Sequence, residues 1–362
     1  MRMVMMGLAA LVGMAAAVLP AQDTAGSRPN AADLAQLDGF ATGMALPTRF
    51  SGVVLVARGD KVLFARAYGL RDAEMRNSAA TVDTRYNLAS TGKMFTSVAV
   101  WQQIAAGKLK LDTQVGKVLE DFPNKAMRKA TVRQLLTHSA GAGDIDLFGV
   151  DAAANRERVR TVADMIALVG NRPPTFKPGS KQEYGSFGYV ILGRMVEVLS
   201  GESYEDYLSR HIFTPAGMTR TGFVDCNATA PDLAVGYVTI GGQRRRNCAT
   251  QPVRGTPAGG QVSTAGDMHR FIAALQAGKL IPAAQLAEAI KPARGTFGLG
   301  FSTTGYGDKG PARDSRWGDA GSADGACTDV RTYPVTGETV IVLSNRDAPE
   351  CFTVANFLHA NW

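Results

Sequence analysis

Strand-forming residues are concentrated towards the two ends of this chain, and helical patterns fill the middle. Ser51–Ala57 and Lys61–Tyr68 are β-rich runs on either side of a short turn, which predicts a hairpin. Strand character returns late, at Cys327–Tyr333 and Glu338–Ser344. We therefore expect an α+β fold in which both ends of the chain build one sheet and a helical domain is inserted between them.

The intervening segments have the apolar spacing and end signals of helices. Such patterns cover residues 90–108 and 187–199, begin again near 264 and 282, and recur at 351–360. A chain of 362 residues is long enough for two lobes. We assign residues 30–85 and 290–362 to the sheet domain and 86–289 to the mainly helical domain, with the active site between them.

The first residues predict export. An arginine at position 2 precedes an apolar stretch from Met3 to Leu19, and small residues lead to Ala21, the preferred cleavage site of a secretory signal peptide over 1–21. A retained N-terminal anchor is the alternative. No later stretch is long and apolar enough to span a bilayer. We expect a periplasmic or secreted protein without stable membrane insertion after cleavage.

The charge and the cysteine content limit the kinds of partner and ligand that we expect. The net charge of +7 is spread along the chain, and its densest basic run, Arg244–Arg246, is typical of a solvated turn, so we expect no nucleic-acid partner. The 4 cysteines permit three pairings. We favour Cys226 with Cys248 and Cys327 with Cys351, because each pair closes a short stretch. Their spacing does not resemble a zinc site, and we expect no metal or cofactor.

Ser90-Thr91-Gly92-Lys93 is the first candidate for catalysis. Residues three apart share a helix face, so the Lys93 amine can reach the Ser90 hydroxyl and take its proton. Free N–H groups at a helix N-terminus also favour negative charge. The alternative is a capping serine followed by a surface lysine.

Tyr184-Gly185-Ser186 is the second candidate. It follows a turn and precedes a predicted helix. Tyr184 can share the serine proton with Lys93 if a nearby cation lowers its pKa. The alternative is an ordinary loop tyrosine.

The order of three motifs resembles that of the serine β-lactamase-like superfamily. These are Ser90-x-x-Lys93, Tyr184-x-Ser186 and the glycine-rich stretch 318–322 before a late strand. The likeness is closest to the class C branch, with D-alanyl-D-alanine carboxypeptidases, D-aminopeptidases and related esterases. It extends from about residue 35 to the C-terminus, through further similar segments at 135–139, 215–219, 258–267, 298–301 and 342–345.

The resemblance implies a β-lactamase/transpeptidase-like fold, an antiparallel sheet flanked by helices plus an all-helical domain. It implies that Ser90 is acylated and that Lys93 and Tyr184 share the acid and base work, without deciding which accepts the first proton. The backbone N–H groups of Ser90 and Ser322 would form the oxyanion hole. Ser186, Asp319, Ala320 and Gly321 would contact substrate.

Two positions depart from the family pattern. Ser186 replaces the usual asparagine, and Asp319 stands where lysine or histidine is usual. A cation there attracts a substrate carboxylate, whereas Asp319 would repel it. We expect β-lactams and peptides ending in D-alanine to be disfavoured, and neutral esters or substrates with a free amine to be favoured. Alternatively, Asp319 turns away or pairs with an arginine such as Arg316.

The sequence therefore predicts an exported serine hydrolase of esterase or peptidase type, acting on a small ester, amide or peptide, rather than an efficient β-lactamase. The alternative is a ligand-binding or regulatory homologue with impaired catalysis. A Ser-His-Asp hydrolase is disfavoured, because the chain has 4 histidines and no Gly-x-Ser-x-Gly turn. We interpret His138 as structural.

Overall fold

The computed structural model describes residues 29–46, 49–144, 158–307 and 310–361. The predicted signal peptide at 1–21 lies outside these residues. In the part that is described, no helix has both the length and the apolar character needed to cross a membrane.

A six-stranded antiparallel sheet forms the centre of the molecule, in the order β2-β1-β10-β9-β8-β7. Two small two-stranded sheets, β3-β6 and β4-β5, lie outside it. The strands are β1 Gly52–Arg58, β2 Lys61–Tyr68, β3 Tyr86–Asn87, β4 Tyr237–Ile240, β5 Gln243–Arg246, β6 Val262–Ser263, β7 Ser302–Gly307, β8 Gly310–Ala323, β9 Ala326–Thr332 and β10 Glu338–Ser344.

Helices cover the sheet and build the rest of the molecule. They are α1 Ala31–Ala45, α2 Lys93–Ala105, α3 Val132–Leu136, α4 Val162–Val169, α5 Phe187–Ser200, α6 Tyr204–Leu208, α7 Thr214–Ala216, α8 Ala265–Gln276, α9 Ala283–Ala289 and α10 Glu350–Asn361. A 3-10 turn, Ala89–Gly92, leads directly into α2. The predicted hairpin, the two late strands and the C-terminal helix are all present.

Strand β1 shows why the sheet is buried on both faces. Successive side chains of a strand point to opposite faces. Val53 and Leu55 belong to the larger apolar core with the central helices, whereas Val54 and Val56 belong to a second core under the terminal helices. Helices α1 and α10 close that second core, where the rings of Phe40 and Phe357 stack at 4.2 Å between centroids. The two ends of the chain thus complete one domain.

Helix α8 packs against β1 and β10, although it lies within the segment 86–289 that we assigned to the helical domain. His269 on this helix places its Nε2 2.9 Å from the backbone oxygen of Gly59. The division into two domains remains a prediction. Because α8 packs on the sheet, this helix belongs with the sheet domain in that division.

The cysteines form the two favoured disulfides, Cys226–Cys248 and Cys327–Cys351. The basic run differs from its prediction as a solvated turn: Arg244–Arg246 belongs to strand β5, which pairs with β4. The turn of this hairpin falls on the two preceding glycines, Gly241 and Gly242, both of which have positive φ.

Candidate active site

The turn before α2 holds Ser90 in a constrained backbone. Ala89 has φ 44°, a left-handed conformation that is uncommon for a residue with a side chain. The backbone N–H of Ala89 donates to Asn87 Oδ1 at 2.8 Å, and its carbonyl accepts from Gly260 N at 3.0 Å. A Cβ on Gly259 would lie 1.9 Å from the Ala89 oxygen, so only glycine permits this contact. The loop at 259–260 therefore fixes the serine turn.

Lys93 lies under Ser90 and is only 1% exposed. Its Nζ is 3.0 Å from Ser90 Oγ and donates to the backbone oxygen of Ala258 at 2.8 Å. Burial lowers the pKa of Lys93 to about 8, although the negative charges of Asp319 and Asp144 oppose this change. With this pKa about a tenth of Lys93 is neutral at pH 7, and the neutral amine becomes the main form above about pH 8.

Tyr184 approaches Ser90 from the loop before α5. Its hydroxyl donates to Ser90 Oγ at 2.7 Å, and Lys93 Nζ lies 5.0 Å from the centre of its ring. The ring is 46% exposed, yet its phenol points inward. Burial of the hydroxyl, with the charge of Asp319 as a second cause, raises the pKa of Tyr184. The idea that a cation lowers this pKa is therefore wrong, and the phenol is protonated near neutral pH.

His138 supports the tyrosine loop. It is 6% exposed, its Nδ1 lies 3.2 Å from the backbone oxygen of Gly185, and its ring centroid is 4.5 Å from that of Tyr184. Burial, and secondly the charge of Lys93, lower the pKa of His138 to about 4, so the imidazole is neutral. Its hydrogen bonds lie with Gly185 rather than with Ser90.

Strand β8 runs beside the nucleophile turn. A Cβ on Gly321 would lie 2.6 Å from the Leu88 oxygen and 2.9 Å from Ser90 N, closer than real Cβ contacts. Thr328, opposite Gly321 in the sheet, donates its hydroxyl to the Leu88 oxygen at 2.8 Å. Glycine at 321 therefore lets the backbone of β8, including the predicted oxyanion residue Ser322, reach the serine.

Asp319 lies two residues before Gly321 on β8, so the two positions share a face of the strand. Its Oδ1 accepts from Ser302 Oγ and from Ala320 N, both at 2.9 Å. Burial raises the pKa of Asp319 to about 6, and the nearby Lys93 opposes this change. The alternative pairing with Arg316 is wrong, because Nη1 of Arg316 lies 3.2 Å from His359 Nε2 instead.

A cleft of about 680 Å³ opens in front of Ser90. Of the predicted substrate contacts, Ser186 lines it, and so does the predicted oxyanion residue Ser322. The other predicted contacts are not among the described residues that line it: Asp319, Ala320 and Gly321. Charged residues at its walls are Asp144, Arg254 and Asp324. Within the described residues, no group of three or more histidine, cysteine, aspartate or glutamate side chains could hold a metal ion.

The structure brings the expected Ser90, Lys93 and Tyr184 together, and it adds several supporting groups that sequence reasoning missed. It assigned no role to the Ala258 carbonyl that holds Lys93, to Ser302 or to the loop that shapes the turn. The only available signal was the glycine pair after Ala258, which indicates close backbone packing.

The family model described as Beta-lactamase matches residues 40–361. The chain belongs to the β-lactamase family. Its Ser90 lies within hydrogen-bond distance of Lys93 and Tyr184, and the protein is a serine hydrolase.

Individual relatives agree with this membership. Penicillin-binding protein 4 of Amycolatopsis lactamdurans is 29% identical over 289 residues, covering 74% of each chain. The structure of a penicillin-binding protein from Bacillus halodurans has a TM-score of 0.79 at 25% identity and covers 88% of this chain and 98% of that one. A D-amino acid amidase from Ochrobactrum anthropi SV3, complexed with L-phenylalanine, has the same fold, with a TM-score of 0.71, 23% identity and coverage of 90% and 96%.

Proposed function

We propose that this member of the β-lactamase family is an exported hydrolase of small esters, amides or peptides that works through an acyl-enzyme on Ser90. One observation carries the proposal: Ser90 Oγ lies 3.0 Å from Lys93 Nζ and 2.7 Å from the Tyr184 hydroxyl. The serine thus has a buried amine and a phenol within hydrogen-bond distance, which is what activation without histidine requires.

The reaction begins with proton transfer. The neutral Lys93 amine accepts the Ser90 proton, and Oγ attacks the substrate carbonyl carbon. The tetrahedral oxyanion is stabilised by the backbone N–H groups of Ser90 and Ser322. Tyr184 then protonates the leaving alcohol or amine and regains its proton from the Lys93 ammonium. In deacylation a water molecule gives one proton to the same pair, attacks the ester carbon and releases Ser90 and the free acid.

Asp319 sets the substrate class. A carboxylate near Lys93 and Tyr184 opposes a second carboxylate in the cleft by roughly 1 to 4 kcal/mol at a separation of 4 Å, depending on the local dielectric. The same charge attracts an amine. We therefore propose that neutral esters and substrates with a free amine are preferred over β-lactams and peptides that end in a carboxylate.

Export is supported by the leader-like residues 1–21 and by the two disulfides. Disulfides persist mainly in oxidising compartments, which include the bacterial periplasm and the extracellular space.

The test combines labelling with a substrate screen. Purified wild type is treated with a fluorophosphonate and mapped by mass spectrometry, beside Ser90→Ala and, as the matched cleft serine, Ser186→Ala. We expect an adduct on Ser90 in wild type and in Ser186→Ala, and a loss of at least about 10³-fold in kcat for Ser90→Ala.

The screen covers short and long acyl esters, β-lactams and D-amino acid amides. An adduct on another serine, or the absence of any adduct, contradicts the assignment of Ser90 as the nucleophile. Penicillin turnover that matches the best ester contradicts the role of Asp319 while leaving the nucleophile intact.

A further inference from the structure

A second cavity, of about 160 Å³, lies beside the β4–β5 hairpin. None of the residues that line it lines the cleft at Ser90. Its side chains are predominantly polar, and two of them, Arg244 and Arg346, are arginines. The cavity is thus separate from the reaction site.

The two arginines are not drawn into salt bridges by the described residues. Within the described ranges, no salt bridge involves Arg244 or Arg346, whereas several other arginines form one. The Nε of Arg346 is buried and finds no hydrogen-bond acceptor among the residues that the structure describes. Burial, and secondly the charge of Arg244, lower the pKa of Arg346. A buried donor without a partner is destabilising, and more so when it is charged, so an acceptor at this point would be stabilising.

The hairpin places Arg244 over the cavity. Cross-strand pairing of Thr239 with Arg244 puts these two side chains on one face, and the alternation of a strand puts Arg245 on the other. The Arg244 guanidinium carbon lies 4.4 Å from the centre of the Tyr237 ring. The Tyr237 hydroxyl in turn donates to Asp72 Oδ1 at 2.7 Å. This hydrogen bond holds the Tyr237 ring against which the Arg244 guanidinium packs.

The hairpin itself is anchored to the body of the protein. The Cys226–Cys248 disulfide closes just after β5. Arg246, on the same face as Arg244, donates to the backbone oxygens of Asn227 at 3.3 Å and Ala228 at 3.0 Å. The hairpin that lines one side of the cavity is consequently held to the rest of the protein.

Asp347 is the carboxylate of the cavity. Its Oδ1 accepts from the backbone N–H of Gly325 at 2.7 Å, and it lies outside salt-bridge distance of both arginines. The charge of Asp347 opposes the lowering of the Arg346 pKa. The described lining residues thus carry two guanidinium groups and one carboxylate.

We propose that this cavity is a binding site for a small oxyanion, a carboxylate or phosphate group, held by Arg244 and Arg346. A guanidinium presents paired donors that match two oxygens of either group. The Asp347 contact with the turn at 324–325, whose Asp324 lines the cleft, places the site next to the cleft rim.

The test titrates wild type, Arg346→Gln and Arg244→Gln with inorganic phosphate and, separately, acetate, by calorimetry at constant ionic strength set with chloride. Arg245→Gln is the matched control, because it removes the neighbouring charge from the opposite face of the same strand. We expect saturable binding in wild type and Arg245→Gln, and a Kd at least about tenfold weaker in each of the two cavity variants.

Saturable binding of phosphate alone identifies a phosphoryl group, and saturable binding of acetate alone identifies a carboxylate. Equal binding in all four proteins, or no saturable binding of either anion to wild type, overturns the proposal. Arg244 is exposed, so its variant keeps the test informative if Arg346→Gln does not fold.

Discussion

Burial lowers the pKa of Lys93 and raises the pKa of Tyr184. Removal from water disfavours the charged form of each group, so it favours a neutral amine at Lys93 and a neutral phenol at Tyr184. Above about pH 8 the site then has a neutral amine and a protonated phenol on the two sides of Ser90. In our proposal Lys93 takes the first proton.

The pH dependence of turnover follows from this assignment. Below the Lys93 pKa of about 8 the ammonium cannot accept a proton, so kcat/KM for a neutral ester is expected to rise with pH and to level off above about 8. The measurement is a steady-state profile with the thermal stability checked at each pH. A rate that falls between pH 7 and 9, in protein that remains folded, would argue against Lys93 as the base.

Asp319→Asn is expected to have two linked effects. It removes the repulsion of carboxylate substrates, so their kcat/KM relative to a neutral ester should rise about tenfold or more. It also removes a charge that holds up the pKa of Lys93, so the rising limb of the profile should move to lower pH. Both follow from steady-state kinetics on a matched pair of esters, one neutral and one bearing a carboxylate.

Asp324→Asn is the control for that experiment. Asp324 lines the cleft but is exposed, whereas Asp319 is held by Ser302 and interacts with Lys93. If the two variants change selectivity and pH profile alike, the effect belongs to the overall cleft charge, and the specific role of Asp319 is wrong.

At the scale of elements, catalysis depends on how closely β8 meets the turn before α2. Gly321→Ala would place a methyl group 2.9 Å from Ser90 N and 2.6 Å from the Leu88 oxygen. We expect a loss of at least about 10²-fold in kcat, since one disturbed oxyanion donor costs roughly that much. The chain should still fold, because its φ at 321 is accessible to alanine.

Gly222→Ala provides the comparison, because nothing lies within 4 Å of its added Cβ and its φ is also unremarkable. It should retain nearly full kcat. Activity of Gly321→Ala equal to that of Gly222→Ala would mean that the strand does not shape the reacting site.

At the scale of the molecule, the Cys327–Cys351 disulfide joins β9 to α10 across the second core. It closes a loop with a sequence separation of 24 residues, for which chain entropy predicts a stabilisation of about 3.5 kcal/mol. We expect Cys327→Ala/Cys351→Ala to lower the free energy of unfolding by roughly this amount in urea titrations. Unchanged stability would show that packing of α10 alone holds the C-terminus.

The sequence predicted those parts of the fold that depend on local pattern. Two β-rich runs on either side of a turn identified β1 and β2. Helical spacing identified α2 and placed Ser90 one turn from Lys93, and the short separations indicated both disulfides. The long strand β8 was not predicted as a strand, because it is rich in glycine and charged residues that are uncommon in strands. Its place in the sheet comes from pairing with β9.

The sequence by itself determined the serine and lysine on one helical turn, since neighbours on a helix follow from spacing alone. Only the tertiary structure brought Tyr184 to Ser90 across 94 residues and placed Asp319 beside them. It also decided the protonation of Lys93, Tyr184 and His138, because a pKa depends on burial and on charges from distant segments. Spacing determines which residues can meet within one element, whereas packing between elements decides what environment they share.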